Sequence, residues 1–116
     1  MKLVDTSILI EWLRREELRE GYISIITLIE ILRGVPAHKR REVKLALEEI
    51  YAIIPLDNEV IQEYCNLYEA LKRRGIKIPD ADLLIAASAK AKNLTLVTAD
   101  KGFELLRGFG IKIEIE

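Results

Sequence analysis

Apolar and polar positions along this chain follow two alternating rhythms. Lys2 to Val4 is a short strand-like run, and Ile8, Leu9, Ile10, Trp12 and Leu13 then recur at helical spacing, with Thr6 or Ser7 placed to cap that helix. Arg14 to Gly21 is charged and reads as a loop. Tyr22-Ile23-Ser24 predicts a second strand, and Ile25 to Arg33 a helix that Gly34 and Pro36 end. Lys39 to Ile53 carries Val43, Leu45, Ala46, Leu47, Ile50 and Ile53 as an amphipathic helix. Ile54-Pro55-Leu56 predicts a third strand, weakened by its proline. Asp57 opens a helix with Val60, Ile61, Tyr64, Leu67, Tyr68 and Leu71 on its apolar side, closed by Arg73-Arg74-Gly75. Pro79-Asp80 starts another, with Asp80 as its cap. Leu94 to Thr98 is rich in β-formers, Lys101 to Leu106 reads as one or two helical turns, and Ile111 to Ile115 alternates as an edge strand does.

Strands alternating with helices predict an α/β domain with a mostly parallel sheet. The 116 residues make one domain, 1–116, with enough length for a single core, and a hydrophobic content of 50% argues against disorder. A formal net charge of −1 lacks the basic excess of a general nucleic-acid binder, which leaves room only for a local basic face. Cys65 is the only cysteine, so no intrachain disulfide forms, and its place in a helical pattern predicts a small buried hydrophobe. Asp5 and Glu11 interrupt the early apolar stretch as a secretory signal would not, and no run approaches the ~20 apolar residues of a membrane span. Cytoplasmic residence away from any membrane is the expectation.

The chemistry lies in the acids. Asp5 follows the first predicted strand and Asp100 follows LTLVT. If both strands are parallel and central, both carboxylates project from the same end of the sheet, where α/β proteins bind ligands. Two acids brought together repel unless a cation sits between them, and Mg²⁺ or Mn²⁺ prefers such all-oxygen surroundings. Glu30 lies on a narrow polar stripe of a mostly buried helix, and taken alone it reads as half of a Glu30–Arg33 surface pair. Asp82 falls in the first turn of a helix whose sequence ALLIAASA predicts near-complete burial. An acid there suits the helix dipole and also faces a crevice more readily than open solvent.

Taken together, LVDTSILI, TLIEILRG and DADLLIAASAKAKNLTLVTADKGF resemble a PIN domain, in particular the short VapC-like toxins of toxin–antitoxin pairs. The resemblance runs from Lys2 to Phe103. It implies a three-layer α/β/α sandwich with a mostly parallel central sheet, and a Mg²⁺- or Mn²⁺-dependent endoribonuclease. The family's four acids fall on Asp5, Glu30, Asp82 and Asp100, with Asp5, Asp82 and Asp100 as the expected metal ligands and Glu30 as a ligand, a water-orienting group or a base. Its hydroxyl positions fall on Thr6 or Ser7 and on Thr98, as groups that support the carboxylates. The resemblance also implies an RNA substrate, a small antitoxin partner and a homodimer. A housekeeping RNA-processing nuclease and a PIN-like binding module that does not cleave are the alternatives.

Other chemistries find little support. His38 is the only histidine, in the charged turn PAHKRR, so a Ser/His/Asp triad is not expected. The glycines stand singly, against a phosphate-cradling loop, and no Cys/His zinc spacing exists. Phosphoaspartate chemistry also places an acid after a first strand, but DTS lacks the adjacent second acid of such phosphatases. The basic runs 38–41 and 72–74 read as solvated helix ends or, in the nuclease reading, as flanks of the acidic pocket. Arg14 and Arg33 are the further candidates for RNA-backbone contacts. Trp12, Leu13, Tyr64 and Tyr68 are expected in the core, and the resemblance implies, as the alternative, that some of them form a homodimer or antitoxin groove.

Overall fold

A computed structural model describes residues 1–17 and 19–116. Five strands, β1 (Lys2–Val4), β2 (Gly21–Ser24), β3 (Tyr51–Ile54), β4 (Thr95–Thr98) and β5 (Ile113–Ile115), form one sheet in the order β3-β2-β1-β4-β5. Every pairing is parallel. The helices are α1 (Thr6–Arg14), α2 (Ile25–Arg33), α3 (Ala37–Ile50), α4 (Asn58–Arg73) and α5 (Asp80–Ala91), followed by a 3₁₀ helix at Lys101–Phe109.

Successive strand residues face opposite sides of the sheet, and each side has its own core. Leu3, Leu96 and Ile113 pack with Leu67, Leu71, Leu83, Ile85 and Leu106 under α4, α5 and the 3₁₀ helix. Val4, Ile23 and Val97 pack with Ile8, Leu9, Trp12, Leu28 and Leu47 under α1, α2 and α3. The sandwich is therefore three layers deep, as expected. The chain leaves β1 toward one layer and β4 toward the other. Neighbouring connections that diverge in this way open a crevice at the carboxyl ends of their strands.

Several boundaries differ from the sequence reading. Asp5, rather than Thr6 or Ser7, caps α1 through its own carboxylate. Helix α3 starts at Ala37, which takes the HKRR run into its first turns, and it stops at Ile50. Ile53 belongs to β3, which precedes Pro55 instead of containing it, because Tyr51 and Ile54 fill opposite cores while the proline lies outside the ladder. Helix α5 has Pro79 at its cap position with no side-chain bond, and Asp80 is its first helical residue. Cys65 is exposed, on the outer side of α4. Of the expected core aromatics Trp12 is buried, whereas Tyr68 is 49% exposed. Leu18, within the expected loop, lies outside the described residues.

Candidate active site

Backbone register builds the site first. Val4 pairs with Val97 across β1 and β4, so the next residues, Asp5 and Thr98, are neighbours at the strand ends. The Asp5 amide donates to the Val97 carbonyl at 3.0 Å, which carries the ladder one residue past the strand. The Asp5 side chain, 5% exposed, then has every lone-pair direction of one oxygen in use: Oδ1 accepts from the Ile8 amide at 3.0 Å and from the Ser7 hydroxyl at 2.9 Å. Oδ2 accepts a short bond from the buried Thr98 hydroxyl. Thr98 Oγ1 in turn accepts from the Asp100 amide at 3.0 Å. One hydroxyl thus fixes the orientation of Asp5 and the path of the chain into Asp100. Asp100 caps the 3₁₀ helix, its Oδ1 accepting from the Gly102 amide at 2.8 Å, and its carboxylate is otherwise exposed.

Glu30 enters from α2. Its Oε1 accepts from the Thr6 hydroxyl at 2.6 Å, which ties α2 to the first residue of α1, and Thr6 Oγ1 also lies 3.0 Å from the buried Thr27 hydroxyl. The Glu30–Arg33 pair expected from spacing exists, with Arg33 Nη2 3.8 Å from Oε2. Arg33 is largely exposed, so the contact anchors neither helix and leaves Oε2 accessible. Asp82, half-buried in the first turn of α5, completes the set. Burial raises its carboxyl above the ordinary carboxylate range, and the charges of Glu30, Asp100 and Asp5 push it further in the same direction.

The four acids line one cavity of about 290 Å³, with Thr6, Ser7, Ile10 and Phe103 among its other walls. Among the described residues no three Asp, Glu, His or Cys side chains are gathered closely enough to close on a cation by themselves. The donor set is nonetheless all oxygen, and the mutual repulsion acting on Asp82 is the kind a cation relieves. This fits a hard divalent ion that keeps several of its own waters, with Asp5, Asp82, Asp100 and Glu30 as the oxygens available to it.

The basic candidates divide. Arg14 lies beside Ile10 and Glu30 in a groove between α1 and α2 that continues the acid cavity. In the runs, Arg40 is spent on the Leu32 and Val35 carbonyls, Arg73 on Glu69, and Arg74 on the Phe109 ring. The lysine that does border the acids is one the sequence reading passed over. Lys77 lines a crevice with Asp82, Asp100 and Phe103. It sits in a short irregular segment whose position depends on how α4 and α5 pack, so no local spacing marks it.

Comparison with known proteins gives the family of the chain and its fold. Over 115 residues, 96% of this chain and 85% of the relative, the sequence is 44% identical to Ribonuclease VapC1 of Methanocaldococcus jannaschii. The fold superposes with a TM-score of 0.81 on a chain of the crystal structure of VapBC2 from Rickettsia felis bound to a promoter DNA fragment, at 24% identity and covering 99% and 98% of the two chains. A chain of VapBC-5 from Mycobacterium tuberculosis, a member of the VapBC family of toxin–antitoxin systems, matches with a TM-score of 0.71 at 26% identity, covering 98% and 95%. The family model for the PIN domain matches residues 2–108, a span that holds all four carboxylates and the strands that bring them together, and the chain belongs to the PIN domain family.

Proposed function

We propose that this chain is a divalent-metal-dependent endoribonuclease and the toxin of a toxin–antitoxin pair. The observation that carries the nuclease reading is the convergence of Asp5, Glu30, Asp82 and Asp100 on one cavity at the divergence point of a parallel sheet. The similarity to a VapC ribonuclease and to a VapBC toxin–antitoxin protein supports RNA as the substrate and a small antitoxin as the partner.

A bound Mg²⁺ or Mn²⁺ supplies charge neutralisation at the phosphate and a water of lowered pKa. The protein's part is orientation. Asp5 is held by three donors and cannot turn away from the cavity. Asp100 follows it through the shared Thr98 hydroxyl. Glu30, anchored by one oxygen to Thr6, keeps the other for a water or a cation. Asp82, whose proton is held more tightly than an ordinary carboxyl's by burial and by the charges of Glu30, Asp100 and Asp5, completes the set. Arg14 and Arg33, at the Glu30 end, are placed to meet phosphates of a strand lying across the cavity.

The test is incubation of the purified chain with labelled single-stranded RNA in Mg²⁺, in Mn²⁺ and in EDTA, beside Asp5→Asn. Cleavage that requires metal and is lost in the variant is expected. A folded chain that binds RNA yet cleaves nothing in any metal, its cognate transcript included, would make it a binding module instead.

A further inference from the structure

A second cavity, of about 310 Å³, opens between the end of α4, the segment after it and α5. Leu71, Ile76, Ile78 and Leu83 form its floor, and Tyr68 flanks it. Its size reaches the lower end of the range for small-molecule sites, ~300–1,000 Å³. It neighbours the acid cavity across an intervening crevice. Lys77 and Ile78 are shared with the intervening crevice, which in turn shares Asp82, Asp100 and Phe103 with the cavity of the four acids.

Two features decide what would enter it. Lys72 and Lys77 stand exposed at its mouth, and among the described residues neither has a carboxylate within ion-pair distance, although Arg73 beside them is paired. Tyr68 stacks on Tyr64 with ring centroids 6.1 Å apart, so its ring is braced from one side while remaining half-exposed. An apolar slot with an aromatic wall and unpaired cations at the lip suits a flat heterocycle attached to a phosphate chain.

We propose that this cavity is a nucleobase subsite: an unpaired base flanking the scissile phosphate enters it against Tyr68, while Lys77 holds the phosphate between that base and the acids. The subsite rests on the ribonuclease reading and adds to it a preference for unpaired RNA on the α4–α5 side of the cut.

The probes are 5′-fluorescein hexa-adenylate RNA and an abasic ribose-phosphate hexamer of the same charge. Each is titrated by anisotropy against the full chain carrying Asp5→Asn in Mg²⁺, so that no strand is cut. Hexa-adenylate is expected to bind about tenfold more tightly than the abasic strand, and Tyr68→Ala in the same background to erase the difference, with Tyr68→Trp restoring it. Lys77→Ala is expected to weaken both strands alike and to reduce the slope of log affinity against log salt by about one. Unchanged melting curves verify folding, since both side chains are exposed. Equal binding of the two strands overturns the base subsite and leaves the ribonuclease reading standing. No binding of either strand also overturns it, and the wild-type cleavage assay then shows whether that reading falls too. If Tyr68→Ala lowers affinity only by splitting a dimer seen in sedimentation, the face belongs to a second copy and the subsite is refuted.

Discussion

Thr98 shows how much one hydroxyl can organise. It donates to Asp5 and accepts from the Asp100 amide, both at the mouth of the cavity, with no exposure of its own. Thr98→Val keeps the shape and removes both bonds. It is expected to cost about 2 kcal/mol in urea unfolding and to lower metal-dependent cleavage in the same protein. Asp5 combines a cap and a candidate ligand on one side chain, and two substitutions separate them. Asp5→Asn retains a cap oxygen for the Ile8 amide but turns its NH2 toward the Thr98 hydroxyl, so it should abolish cleavage at the cost of that one bond, whereas Asp5→Ala should add a further cost of about 1 kcal/mol through the lost cap. Asp82 behaves oppositely, because burial and three neighbouring charges disfavour its ionised form in the folded state. Its folded pKa lies above the unfolded one, so ionisation weakens the fold at neutral pH, and the penalty fades as pH falls through the raised value. In EDTA at pH 7, Asp82→Asn is expected to melt at a higher temperature than the wild type, with the gap closing toward pH 4. The four acids were legible as a set because each sits beside a recognisable strand end or helix. The interlocking of Thr98 with two of them was not, because it depends on β1 and β4 being neighbours, which no local pattern reveals.

Elements whose sequence stated both a start and a stop were read nearly to the residue. Helix α2 has Ser24 to accept from the Ile26 amide and Gly34 to end it, and it spans the expected Ile25–Arg33. Errors gathered where those signals conflict. Ile50 to Ile54 is apolar throughout, and a helical period can be drawn through it as easily as a strand. Only pairing with β2, Gly21 with Tyr51 through Ser24 with Ile54, decides for a strand. On α4 the apolar positions outnumber those its neighbours can cover. Ile61 and Tyr68 were expected inside and lie about half exposed because α5 covers only one side of the helix. The α4–α5 pair is closed by Lys92, whose Nζ lies 2.6 Å from Asp57 Oδ2 at the α4 cap. The Lys92 hydrogen bond, with the Val60 amide, lowers the Asp57 carboxyl below its ordinary 3.8, and the same bond raises Lys92 above 10.5. Stability from the depressed Asp57 is present above the unfolded pKa and is lost as pH falls through the folded one. Stability from the raised Lys92 is present below its unfolded pKa and is lost as pH rises through the folded one. Asp57→Asn is therefore expected to flatten both the acid and the alkaline limb of Tm against pH, a change that calorimetry reads directly.

For the whole molecule, the class of fold followed from the alternation of strands and helices, while the strand order did not, since it is set by which faces the crossover helices cover. The acids concentrate negative charge, with only the exposed Arg33 paired to it, in one cavity of a chain whose net charge is only −1, so the native state should depend on what fills that cavity. Titration with Mn²⁺ is expected to raise Tm, by the equivalent of about 2.7 kcal/mol at a hundred times the dissociation constant, and Asp100→Asn to remove most of the rise. The central position of β1 has a further consequence, in time rather than in space. A ribosome delivers β1 and Asp5 well before β4, so one edge of β1 has no partner until Thr95–Thr98 has been made, and Asp100 comes two residues later still. Between those two events the nascent chain has no complete set of carboxylates. On the nuclease reading, cleavage of RNA therefore has to wait for the pairing of β1 with β4, however early Asp5 is made.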